Sequence, residues 1–280
     1  MRVQMDKRRM CPNCRAFITT SDRVCPYCEV KLGPRAVDRR NPGEILGGLI
    51  PQARFTTVLI LLINFALFAA TWLYSQNTGR PFNQVLAIFG AKLSLPYMRA
   101  QSWRLITAGF LHGGVLHILM NSWVLFDLGA EAEAAYGTAR MLIFYFTATV
   151  FGFAASTWWS GALSIGASAG IFGLIGAMIA YGMREKTALG SEVKSLYIRW
   201  AVYGLLMGLL PLFSIDNAAH IGGLAAGFVT AFIFPVARAR TMWLEPVVRV
   251  VAAICVLLTV GAFVMMAREV MAVNAAAGAR

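Results

Sequence analysis

The sequence predicts an all-α, polytopic membrane protein preceded by a small cysteine-rich module, and three observations carry that prediction. Of its 280 residues 58% are hydrophobic and only 14% charged, with a mean hydropathy of +0.64. Apolar runs of roughly 17 to 25 residues recur, the length that crosses a bilayer. Four of the five cysteines fall between residues 11 and 28. An ordinary soluble domain cannot hide so much apolar surface. The net charge of +12 would suggest nucleic acid in a soluble chain. In a membrane protein it points instead to sidedness, because Lys and Arg collect on the cytoplasmic side, and no nucleic-acid partner is expected.

Residues 1–34 read as a separate module. Cys11-Pro12-Asn13-Cys14 is followed, after ten intervening residues, by Cys25-Pro26-Tyr27-Cys28. Two C-P-x-C turns of this kind suit a tetrahedral Cys₄ zinc, since each turn aims two thiolates at one point. So short a segment has no core of its own, and a structural Zn²⁺ would supply its folding energy. It resembles a zinc ribbon, a shape that implies a structural or binding role, with a cytosolic protein as its possible partner. An incidental cysteine-rich tail and a redox pair, Cys11 with Cys14, are the alternatives.

Residues 35–55 carry Arg35, Arg39, Arg40 and Arg54 among Pro34, Pro42 and Pro51. They read as a basic juxtamembrane linker suited to anionic headgroups, or simply as a solvated orientation signal. The first apolar run starts near Thr56, too late for a cleavable signal peptide.

Seven apolar segments follow, at 56–74, 114–130, 141–158, 167–183, 198–214, 218–236 and 247–267. The connection 75–113 is too mixed to cross a bilayer. Its Phe82, Phe89, Tyr97 and Trp103 among Arg80, Lys92, Arg99 and Arg104 suit an element lying at the membrane surface. With the N-terminus inside, the inner segments hold 19 of the 25 Lys and Arg residues. The positive-inside rule therefore predicts a cell-membrane protein with a cytoplasmic N-terminus, where thiols stay reduced, and an extracytoplasmic C-terminus.

The three histidines, His112, His117 and His220, all fall in or beside predicted spans, where polar groups are costly and mark function. Gly166-Ala167-Ser168-Ala169-Gly170 opens the fourth span in a G-x-S-x-G arrangement. In soluble hydrolases that spacing sets a serine on a tight turn beside an oxyanion donor; glycines spaced for helix packing around a chance serine give the same pattern. Topology places Ser168, His220 and His117 at the outer ends of their spans, with Asn121 one turn deeper. His117 and Asn121, at i and i+4, share one helix face. Ala219, Gly223 and Gly227, and Gly166 with Gly170, form small-residue stripes that let helices approach closely. In this chemistry Ser168 is the nucleophile and neutral His220 its base. The Ser168 N–H, the Asn121 amide and a His117 ring N–H are the candidate oxyanion donors. Asp216, four residues before His220, reads as a solvated loop residue, which leaves a dyad.

These residues together resemble the rhomboid family of intramembrane serine proteases. The matching pattern is Trp103-Arg104, then His112, His117 and Asn121 in one run, then Gly129 and Glu133, Gly166-x-Ser168, and Ala219-His220-x-x-Gly223-x-x-x-Gly227. The resemblance covers roughly residues 55–236. It implies a six-helix rhomboid-like bundle plus one C-terminal transmembrane helix. It also implies Ser168 as nucleophile, His220 as base, an oxyanion site around His117, Asn121 and Gly166, no cofactor for catalysis, and transmembrane helices in the lipid bilayer as substrates. Trp103 and Arg104 would support the first loop, and His112 and Glu133 would be structural hydrogen-bonders. Many bacterial members have Tyr where this chain has Phe172, so the ring is kept and the hydroxyl lost.

The domains expected are thus 1–34, the zinc-ribbon-like module; 35–55, the linker; 56–236, the protease core; and 237–280, a loop, the seventh helix and a tail. Two rivals stand beside a protease. A catalytically inactive rhomboid-like binder would lack the serine or the histidine, and both are present. A transporter or channel would need carboxylates in mid-membrane, and the spans are nearly free of them.

Overall fold

The computed structural model describes residues 8–11, 13, 14, 16–19, 22–31, 54–210, 215–237 and 239–278. The chain divides into two compact units, residues 1–52 and 53–280. The basic linker expected at 35–55 lies outside the described residues except for Arg54 and Phe55.

In the first unit β1 (Arg8–Met10) pairs antiparallel with β2 (Phe17–Thr19), and Cys11, Ile18 and Cys25 make its small buried cluster.

The second unit is helical. Helix α1 (Phe55–Thr78) ends at Gly79, whose φ of +66° supplies the left-handed residue that commonly stops a helix. Three short helices follow, α2 (Phe82–Ile88), α3 (Leu95–Ala100) and α4 (Arg104–Thr107), and then a 3₁₀ turn at Ala108–Phe110. Helices α5 (Val115–Tyr136) and α6 (Thr138–Trp159) are separated only by Gly137, at φ +82°. Helices α7 (Ser168–Arg184), α8 (Ala188–Met207), α9 (Asn217–Ile233) and α10 (Glu245–Gly278) complete the unit.

Each of the seven expected spans corresponds to a long helix, with shifted ends. The largest shift of a helix start is in α8, expected from 198. It begins ten residues earlier because the Thr187 hydroxyl caps it, accepting from Gly190 N–H at 3.1 Å. The helix therefore carries Glu192 and Lys194, residues read as loop when only the apolar run is followed. Residues 211–214, the end of that expected span, lie outside the described residues. Among the described residues three helices are long and apolar enough to cross a membrane by themselves: α1, α6 and the helical stretch containing α10. The bent pair formed by α4 with its 3₁₀ turn and α5, kinked by 92°, makes a fourth candidate. Helices α7 and α9, at 17 residues each, are apolar but shorter.

Helix α7 explains its own shortness: it is the centre of the bundle and is buried along most of its residues. It packs on α9 with almost no side chain between the backbones. A Cβ on Gly223 would run into Ala169 O, and one on Gly227 into Gly173 O. Contact this close requires glycine, since lipid gives no hydrophobic drive and packing must hold the helices together. The α7 residues that meet α9 are thus Ala169, Gly173 and Gly176. The stripe expected at Gly166 and Gly170 is different: Gly170 abuts the Tyr145 ring of α6.

The outward faces are apolar. Leu62, Trp123, Tyr203 and Leu257 are all at least 60% exposed, a surface suited to acyl chains and not to water. Inside, the Glu133 carboxylate of α5 accepts from the backbone N–H groups of Thr56 and Thr57 and from the hydroxyls of Thr56, Thr57 and Thr138. It thereby satisfies the free donors at the start of α1, where a negative charge also complements the helix dipole. Helix α10 is tied on by Arg140–Glu245 at 2.6 Å and by Phe263, whose ring centroid lies 5.1 Å from that of Phe110.

Candidate active site

Ser168 is the first residue of α7, so its N–H has no partner within the helix. The turn before it is held on two sides. Ser164 pairs with Lys92 through both backbone bonds, at 3.0 and 3.1 Å, and Gly166 N–H donates to Ala108 O at 2.9 Å. Gly166 sits at φ +126°, and a Cβ there would lie 2.8 Å from His117 Nε2. Both the conformation and the space demand glycine.

His117, on the first turn of α5, accepts Gly113 N–H at Nδ1 over 3.3 Å. That bond assigns the ring proton to Nε2, the atom facing Gly166 and the start of α7. A donor is thus aimed beside Ser168. Asn121, one turn on, spends one amide N–H on His117 O at 3.0 Å and keeps the other. His112 is fully buried with its ring edge-to-face on His117, 5.1 Å between centroids. Neither of its nitrogens meets hydrogen-bonding geometry among the described residues.

His220 lies in the first turn of α9, buried, its Nδ1 without a partner among the described residues. Phe172, one turn after Ser168, stacks on it at 4.0 Å and 15°, so both side chains project from facing sides of the α7–α9 contact. No hydrogen bond joins Ser168 to His220 among the described residues, a distance that substrate-free sites commonly leave long.

Asp216 departs from the expectation of a solvated loop residue. It is the N-cap of α9, partly buried, accepting Ala219 N–H at 3.0 Å and a hydroxyl bond from Ser156 of α6. Its spacing before His220 was visible in the sequence; the capping role was the missed signal, since Asp preceding an apolar helical run is a start signal. Lys92, by contrast, is fully buried, and nothing in its sequence context marks it. Arg104 organises the connection before the site, donating to Ala87 O, Ala91 O and the Gln101 side chain.

In the N-terminal unit Cys11, Cys14, Cys25 and Cys28 bring their sulfurs within 4.8 Å of one another, with Cys11–Cys28 at 3.7 Å and Cys14–Cys25 at 3.6 Å. A tetrahedral ion with Zn–S bonds of about 2.3 Å needs sulfurs roughly 3.8 Å apart, so the four fit a metal of that kind. The Val30 backbone N–H draws the Cys28 thiol down to about 6, toward the thiolate that ligation requires. The Ala16 N–H also favours the Cys14 thiolate, but burial and the three neighbouring sulfurs push that thiol up to about 12. A cation removes this mutual opposition.

A model of the rhomboid domain family matches residues 99–237. The chain is 32% identical over 175 residues to the Rhomboid protease GluP of Bacillus subtilis, covering 62% of this chain and 34% of that protein. It is 34% identical over 134 residues to RHOMBOID-like protein 4 of Arabidopsis thaliana, 48% of this chain and 34% of the relative. With Rhomboid-like protease 1 of Toxoplasma gondii the identity is 30% over 210 residues, 71% of each chain. The chain thus spans about a third of the length of the first two relatives and most of the third.

Proposed function

This chain belongs to the rhomboid family, and on that premise we propose that it is an intramembrane serine endopeptidase that cleaves transmembrane segments of other membrane proteins. The observation that carries the reading is the stack of Phe172 on His220. It holds the imidazole against a ring one helical turn from Ser168, and the His117 Nε2–H faces the Gly166 turn that leads into that serine.

In this mechanism His220 takes the Ser168 Oγ proton as the oxygen attacks the scissile carbonyl carbon. The carbonyl oxygen becomes an oxyanion, met by Ser168 N–H, His117 Nε2–H and the free Asn121 amide N–H at the positive end of α7. Collapse breaks the C–N bond, and the proton on His220 passes to the leaving amine. A water molecule, deprotonated by His220, then releases the acyl group and restores Ser168. Gly166 leaves room for the oxyanion donors, and catalysis uses no cofactor. The Cys11, Cys14, Cys25 and Cys28 set holds one structural Zn²⁺ in a cytoplasmic module whose partner is a cytosolic protein. The C-terminus is extracytoplasmic in a multi-pass protein of the cell membrane, and the site opens to that side. The domains are 1–34, 35–55, 56–236 and 237–280.

The alternative is a catalytically inactive rhomboid-like binder of membrane proteins. Incubating purified protein with a panel of single-pass helices, wild type beside Ser168→Ala, decides between them: cleavage by wild type alone supports the protease, and no cleavage of any helix by either supports the binder.

A further inference from the structure

Two charged side chains near Ser168 have no part in that chemistry, and each is held with care. Lys92 is fully buried, and its Nζ donates to Ser160 O at 2.6 Å and Ala162 O at 2.9 Å. Its backbone pairs with Ser164 in both directions. It therefore grips the segment 160–164 that leads into Gly166 and Ser168. Asp216 grips the other partner. Its Oδ1 accepts Ala219 N–H at 3.0 Å and its backbone O accepts His220 N–H at 3.1 Å, while its Oδ2 takes the Ser156 hydroxyl at the end of α6. The Ser164 hydroxyl faces the same carboxylate. Lys92 and Asp216 carry opposite charges and hold neighbouring parts of one stretch, Lys92 at Ser160 and Ala162 and Asp216 at Ser156. Burying a lysine costs several kcal/mol unless its proton donors and charge are met. Helix capping alone needs no such charge, since Asn caps as well as Asp.

We propose that Lys92 and Asp216 form a clamp that sets the nucleophile turn in register with the first turn of α9, which makes them positioning residues for Ser168 and His220 respectively. The clamp couples three segments, 91–93, 160–168 and 216–220, through Lys92 on Ser160, Ala162 and Ser164 and through Asp216 on Ser156, Ala219 and His220. This inference rests on the Ser168–His220 reading of the site.

The test uses the full chain in proteoliposomes with a single-pass transmembrane substrate, reading kcat, KM, the rate of Ser168 labelling by a fluorophosphonate, and thermal stability. Asp216→Asn keeps the cap and removes the charge. A register error of about 1 Å costs on the order of a hundredfold in turnover, so kcat and the labelling rate should fall roughly ten- to a hundredfold with KM within about twofold. Lys92→Met with Asp216→Asn removes both charges, so stability should recover toward wild type while kcat stays low. Ser156→Ala, which takes away one contact and no charge, should show the same split more weakly, and it serves if Asp216→Asn does not fold. Wild-type kcat in Asp216→Asn overturns the clamp, as does recovery of kcat together with stability in the double variant. Activity in Ser168→Ala, run alongside, would instead overturn the dyad itself.

Discussion

The phenyl ring of Phe172 lies flat on the imidazole of His220, 4.0 Å between centroids and 15° between planes. Because Phe172 follows Ser168 by one turn of α7, the stack sets the height and tilt of His220 against the serine. The hydroxyl that many bacterial relatives carry at this position is not needed for that contact. Stacked aromatic pairs contribute about 0.5–1.5 kcal/mol beyond burial. Phe172→Leu should therefore lower kcat roughly two- to tenfold, with a smaller change in KM. Gly204→Ala tests the same point from behind, because its Cβ would lie 2.6 Å from Phe172 Cζ and must displace the ring. Steady-state kinetics at equal folded protein check both.

The two oxyanion candidates should differ. His117 presents an otherwise uncommitted Nε2–H toward Gly166, whereas Asn121 has already given one N–H to His117 O. Loss of a single oxyanion donor typically costs about 10²–10³ in kcat. His117→Ala should fall in that range and Asn121→Ala roughly tenfold above it. Both losses belong in kcat, because the oxyanion exists only after attack. A raised KM with normal kcat would make these residues substrate contacts instead.

Glu133 predicts the opposite pattern. It receives two backbone N–H groups and two hydroxyls at the start of α1 and the Thr138 hydroxyl at the start of α6, at the opposite end of α5 from His117. Each buried donor left unpaired costs about 1–3 kcal/mol. Glu133→Ala should lower the melting temperature by several degrees and leave turnover per folded molecule near wild type. Thermal melts paired with single-turnover assays separate the two effects.

The cysteine cluster predicts one equivalent of zinc per full-length chain, measured by elemental analysis. Substituting either of the two buried cysteines of the set, Cys11→Ser or Cys25→Ser, should release the metal. A chelator should do the same and leave the melting of the helical unit unchanged. Zinc-free protein with the Sγ set still protected from alkylation would contradict the assignment.

Much of this was legible in the sequence, for identifiable reasons. Apolar length marks helices, so all seven long ones were foreseen; their ends depended on caps such as Thr187 and Asp216, which an apolar pattern does not weigh. Ser168, His117, Asn121 and His220 stood out because polar side chains are costly in or beside apolar spans, and Gly166 stood out by its spacing from Ser168. The two paired C-P-x-C turns needed only local geometry. Lys92 was illegible, since its burial is created by Ser160 and Ala162, nearly 70 residues away. The facing of Ala169 and Gly173, instead of Gly166 and Gly170, toward α9 follows from where α7 begins, and the sequence fixes that start only to within a residue or two.

The most direct test of the account is to react purified wild-type protein with a fluorophosphonate and locate the adduct by peptide mass spectrometry. The account predicts a single covalent adduct on Ser168, lost in Ser168→Ala and strongly slowed in His220→Ala, with peptide-bond cleavage lost in step. An adduct on another residue, or undiminished labelling of Ser168 in His220→Ala, would contradict it.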